Sequence, residues 1–265
     1  MRALFIFIFF FLINNCSFDN KTGIWKDSNN LPKKDNIFKD FRKIDSSPQS
    51  FREIFKIDSS FEFKKQATIN PKQWSDIYYS NGNSLDNFVY DNTQEIKFIS
   101  KKLSRHEINK NILFIDNYLI FSDFKGNLIS YSVSGREIFN KYNFYKKEFK
   151  NIKKDLNLIA DSEVIYVSDN LGFLYAYNYK KNSINWAKKF KISFRSNLKV
   201  SSNELYVADQ NNNLLIINKK NGNVIQRLPT EKSLYKNNFK NNFALNGKSL
   251  FFLNTFGSLY SINTS

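Results

Sequence analysis

Four ten-residue segments of this 265-residue chain can be laid over one another. They are SDFKGNLISY from Ser122, SDNLGFLYAY from Ser168, ADQNNNLLII from Ala208 and LNTFGSLYSI from Leu253. A turn residue that tolerates positive φ recurs as Gly126, Gly172, Asn212 and Gly257, at spacings of 46, 40 and 45 residues. Three positions earlier, each turn opens with Asp123, Asp169, Asp209 or Asn254. Leu128, Leu174, Leu214 and Leu259 share a column, and Ser132, Asn178, Asn218 and Asn263 open the next turn. The flanking runs, such as 164–167 and 173–177, are rich in strand-favouring types. Phe139, Trp186 and Gln226 fall at equivalent places, to within one residue, in the strands that follow.

Short strands repeating at this period predict an all-β chain of four-stranded antiparallel blades, a β-propeller. One blade cannot bury both of its faces, so neighbours must stack and fill the gap with the alternating Leu, Tyr and Phe. Three full blades are expected at 111–142, 156–190 and 197–228. A fourth supplies strands near 242–245, 249–253 and 258–263. A strand near 95–100 matches an outer strand. It either pairs with 258–263 and closes a small four-bladed ring, or the four blades are an incomplete, open part of a larger ring. The second reading is the one adopted.

The N-terminus reads as a targeting segment. Arg2 precedes an apolar run at 3–13, which is shorter than the roughly 20 residues of a membrane-spanning helix. Ile13, Asn14, Asn15 and Cys16 follow, and Cys16 is the only cysteine. The arrangement resembles a bacterial lipobox, with Asn15 standing where Gly, Ala or Ser is usual. The domain reading is therefore 1–16 lipoprotein signal peptide and lipobox, 17–65 largely irregular polar tether, and 66–265 propeller blades. A single cysteine allows no intrachain disulfide, so the blades depend on packing.

Lys and Arg number 40 against 24 Asp and Glu, a formal net charge of +16. The lysines are spread through every segment and gather in no stripe. This argues against a nucleic-acid footprint, while the charge favours contact with anionic lipid headgroups. His106 is the only histidine, and no Gly-rich phosphate loop or nucleophile elbow is present. No catalytic residue, cofactor or metal is therefore assigned, and the chain reads as a non-enzyme.

The repeat also resembles the quinoprotein-like propeller blade, approximately Ala-x-Asp-x-x-Thr-Gly-x-x-x-Trp. Ala176, Asn178, Lys181, Asn182 and Trp186 fall at those offsets, as do Ile216, Asn218, Asn221, Gly222 and Gln226. Phe88, Tyr90, Thr93, Gln94 and Phe98 match in spacing. With the lipobox and tether, the whole resembles the BamB family, the propeller lipoproteins of the outer-membrane β-barrel assembly machinery. That resemblance implies an eight-bladed ring and a non-catalytic periplasmic scaffold, lipid-anchored through Cys16 at the outer membrane. Its partners would be the central β-barrel assembly protein and nascent outer-membrane proteins. Ser17 fits outer-membrane sorting, since Asp at that place would signal inner-membrane retention. By the same resemblance the connection 190–196 is the docking loop, with Phe194 and Arg195 as contact residues. Two alternatives share the propeller. One is a PQQ-dependent dehydrogenase, whose calcium site and frequent disulfide of adjacent cysteines have no counterpart in this sequence. The other is an envelope lipoprotein that binds glycan or peptidoglycan.

Overall fold

The computed structural model describes residues 73–232 and 239–264, except 91, 97 and 98, with 60, 62 and 67–69. It also describes the backbone of β1 (Cys16–Phe18) and β2 (Trp25–Asp27). The chain divides into Met1–Lys64 and Lys65–Ser265. In the first unit β1 and β2 pair antiparallel, Cys16 opposite Asp27. The apolar run 3–13, the lipobox positions before Cys16 and most of the tether lie outside the described residues.

The second unit is a series of antiparallel meanders. Blade 1 comprises β3 (Ile108–Ile115), β4 (Tyr118–Asp123), β5 (Asn127–Ser132) and β6 (Glu137–Asn143). Blade 2 comprises β7 (Leu156–Asp161), β8 (Val164–Asp169), β9 (Phe173–Asn178) and β10 (Ser183–Lys189). Blade 3 comprises β11 (Lys199–Val200), β12 (Glu204–Ala208), β13 (Leu214–Asn218) and β14 (Val224–Leu228). Blade 4 has three strands, β15 (Asn242–Asn246), β16 (Ser249–Leu253) and β17 (Leu259–Asn263). The inner strands β3, β7, β11 and β15 neighbour one another in that order. The four sheets form a partial β-propeller, as the repeat predicts.

Local chemistry fixes the hairpin between the second and third strand of every blade. Asp169 Oδ1 accepts the N–H of Leu171 (2.9 Å) and of Phe173 (2.7 Å). Asp123, Asp209 and Asn254 make the same pair of bonds two and four residues on. Gly126, Gly172, Asn212 and Gly257 sit at φ of 83°, 84°, 62° and 87°, where a Cβ is costly on most residues. The repeated Asx side chain is thus a structural group that satisfies the turn's own donors.

Between the blades lie the cores. Leu113, Ile120 and Leu128 of blade 1 meet Leu158, Val167 and Tyr175 of blade 2. Tyr166 and Leu174 meet Leu205 and Val207 of blade 3, and Tyr206 and Leu214 meet Phe243 and Phe252 of blade 4. Trp186 reaches from the outer strand of blade 2 to blade 3, where its Nε1–H donates to the Lys219 carbonyl at 2.9 Å. Its ring lies so close over Gly222 that an added Cβ would stand 2.6 Å from it. The equivalent position in blade 1 is Asn140, not Phe139, because Asn140 pairs with Ser130 as Trp186 pairs with Ala176. Asn140 docks by a polar route, donating to the Tyr179 carbonyl at 2.6 Å.

Two expectations are corrected. The described residues of 95–100 belong to no strand, and β17 pairs only with β16, so among the described residues no N-terminal strand completes blade 4. The described residues of 84–96 are not strands either, so the motif spacing at 88–98 does not mark a blade. The N-terminal part contributes something else. Residues 73–83 run as a strap across the inner strands of all four blades. Trp74 exchanges both backbone bonds with Phe114 of β3, and Ala160 of β7 donates to the Ser75 carbonyl at 2.8 Å. Asn81 Nδ2 donates to the Val200 carbonyl of β11, and the Leu245 amide of β15 donates to the Asn81 carbonyl.

Candidate functional site

The strap carries a charged side chain into the protein centre. Asp76 and Lys199 are fully buried and form an ion pair at 2.6 Å. Lys199 Nζ also donates to Asn83 Oδ1 (2.5 Å) and to the Ser80 carbonyl (3.2 Å). The other carboxylate oxygen of Asp76 accepts the Tyr78 amide at 2.8 Å. Burial pushes the Asp76 carboxyl above its ordinary range, opposed by the Lys199 charge. Burial pushes the Lys199 ammonium below its own, opposed by Asp76. Every polar atom of the pair has a partner within the strap and β11, so this is a fastening of the strap. Lys199 occupies the inner-strand column that holds Leu113, Ile159 and Ala244 in the other blades, a lysine in an otherwise apolar column. That irregularity was the sequence signal for the pair.

Beside the strap opens a polar basin of about 950 Å³. Ser75, Asn81, Asp161, Ser201, Lys219 and Lys248 contribute to its wall. Lys219 Nζ pairs with Asp161 at 2.6 Å and donates to the Ser201 carbonyl.

Blade 4 presents a surface of the opposite character. The column Ile120, Tyr166, Tyr206 is buried against the next blade, and its fourth member, Phe251, is exposed. Leu128, Leu174 and Leu214 are at most 1% accessible, whereas Leu259 is 66% accessible. Leu253 stands across the ladder from Leu259 and is also exposed. Side chains that form the inter-blade core elsewhere face solvent here.

The predicted docking residues lie apart from this surface. Phe194 is 2% exposed and packs on Phe190, ring centroids 5.1 Å apart, in the core between blades 2 and 3. This corrects the expectation of an exposed aromatic anchor. The connection 190–198 passes from one blade to the next, and its aromatic fills the gap between them. Arg195 is half-buried, and its backbone joins Ala208 to Asn241. His106 is exposed on the connection before β3. Among the described residues no group of three or more His, Cys, Asp or Glu is placed to hold a metal. No described helix is long and apolar enough to cross a membrane.

No family model and no curated protein matches the chain. Solved structures resemble it at low identity. The computationally designed Ika4 protein is 7% identical with a TM-score of 0.54, over 65% of this chain and 100% of that one. The designed Ika8 protein is 7% identical with a TM-score of 0.50, over 59% of this chain and 46% of that one. BamB from Moraxella catarrhalis is 16% identical with a TM-score of 0.44, over 57% of this chain. The chain spans 41% of the length of that protein. Identities this low bear on the fold alone.

Proposed function

We propose that this chain is a non-catalytic scaffold lipoprotein of the outer-membrane β-barrel assembly machinery, held at the periplasmic face of the outer membrane by an acylated Cys16. The observation that carries the scaffold reading is the exposed face of blade 4. Phe251, Leu253 and Leu259 stand in columns buried in the other blades, which supports a surface for binding protein. The turn aspartates are taken up by their own backbone amides, which supports a structural role for the most regular acidic residues. The assignment to barrel assembly comes from the sequence resemblance, with the central β-barrel assembly protein and nascent outer-membrane proteins as partners.

Copurification from native envelope tests this reading. Barrel-assembly proteins should accompany the wild type and be lost from a Phe251→Asp, Leu259→Lys variant that keeps its melting temperature. Retention of the same partners by that variant would refute the role of the blade 4 face. Cys16→Ser should abolish both acyl mass and membrane attachment, and unchanged attachment would refute the anchor. The polar basin favours a second reading, binding of a glycan through its amide, hydroxyl and carboxylate groups. Recovery of peptidoglycan fragments in place of assembly proteins would select it.

A further inference from the structure

The strap shapes a second cavity, next to the polar basin and unlike it. A cleft of about 360 Å³ is walled by Trp74, Tyr79, Leu85, Phe88 and Phe114, with Asp86 as the charged residue in its lining. That volume suits a small ligand. Four of the walls are aromatic. The Trp74 and Tyr79 rings stand at 88° with centroids 5.5 Å apart, like two adjoining sides of a box. Trp74, Leu85 and Phe88 are exposed, so the cleft opens to solvent.

The walls are fixed from behind. Trp74 and Phe114 are joined by their two backbone bonds, at 2.7 and 2.9 Å. Tyr79 sits at a φ of 77°, which a bulky aromatic residue rarely adopts, and its amide donates to the Asp76 carbonyl at 2.9 Å. Asp76 is itself held by Lys199. The ion pair that fastens the strap thus also fixes an aromatic wall in a strained conformation.

Charge decides what such a cleft admits. The chain has 40 Lys and Arg against 24 Asp and Glu, yet among the described residues no Lys or Arg lines the cleft. Among the described residues none stands over any of the four rings either. Burial, and then the Asp86 charge, hold the Tyr79 hydroxyl above the ordinary phenol range, so the phenol stays neutral. Aromatic faces present the negative part of the ring quadrupole, and Asp86 adds a carboxylate at the rim. Both attract a cation and repel a phosphate or carboxylate. A primary ammonium or a guanidinium brings N–H donors that four rings and a leucine cannot satisfy. A quaternary ammonium has no donor, and its methyl groups pack on apolar walls. The cleft shares Gln73, Tyr79 and Asp86 with the polar basin, which leaves hydrated room for the rest of the molecule.

We propose that this cleft is a binding site for a quaternary ammonium group, held among the rings of Trp74, Tyr79, Phe88 and Phe114 with Asp86 at the rim. The inference goes beyond the scaffold reading and stands or falls without it. Calorimetric titration of the full chain with choline tests it, beside the carbon isostere dimethylbutanol, which has the same shape without the charge. Choline should bind saturably, and the alcohol at least about tenfold more weakly. Trp74→Leu and Phe88→Leu keep an apolar wall and remove a ring. Each should weaken choline binding roughly threefold or more at an unchanged melting temperature. Phe88 lies outside the strap, so its variant reads the site even where Trp74→Leu unfolds the chain. Asp86→Asn should weaken binding and reduce its sensitivity to salt. Displacement of choline by phosphatidylcholine vesicles would make a lipid headgroup the source of the group, and failure to displace it would make the source a soluble molecule. No saturable binding of choline, equal binding of the alcohol, or choline affinity unchanged in the folded ring variants would each overturn the proposal.

Discussion

Replacing Lys199 by Met tests whether the strap is fastened by its ion pair. The substitution keeps most of the side-chain volume and removes the charge. Asp76 then remains fully buried with one remaining donor, the Tyr78 amide, while the Ser80 carbonyl and Asn83 Oδ1 lose theirs. Breaking one side of a buried pair costs about 3–5 kcal/mol, chiefly through the uncompensated charge left behind. Lys199→Met should therefore lose about that much stability at neutral pH in urea unfolding. The Asp76→Asn, Lys199→Met double variant, which carries no orphaned charge, should lose less than the single variant. The pH dependence has a definite sign. Asp76 is held above its ordinary pKa in the folded state, and losing Lys199 raises it further. The folded variant therefore binds that proton more tightly than the unfolded chain. Its deficit relative to wild type should shrink as the pH falls from neutrality through the raised Asp76 pKa, and should grow again as the pH rises. Hydrogen exchange at 74–83 should speed up in the single variant at neutral pH. A loss below about 1 kcal/mol at pH 7, or a deficit independent of pH, would refute the reasoning.

Two further outcomes follow from the blade columns. Leu174→Ala should cost about 2–5 kcal/mol, while Leu259→Ala, the same column in blade 4, should stay within about 0.5 kcal/mol in parallel denaturant titrations. Gly222→Ala places a Cβ 2.6 Å from the Trp186 ring at a φ of +72°. It should lower stability by roughly 1–3 kcal/mol and shift Trp186 fluorescence, and an unchanged melt would count against the Trp186 docking contact.

The residues divide by the range over which their partners act. Asp123, Asp169, Asp209 and Asn254 bond amides two and four positions away, and Gly126, Gly172 and Gly257 supply the positive φ of the turns. Their roles were legible in the repeat, and so were the blades. The sequence could not place residues whose partners come from distant segments. Lys199 looks like a surface lysine until the strap brings Asp76, 123 residues away in sequence, against it. Phe194, in a connection between blades, and Leu259, in a strand, are both apolar, yet one is buried and the other exposed, because only the stacking of a neighbouring blade decides the difference. Turn chemistry is local and survives in the sequence pattern, whereas burial is a property of the assembled blades.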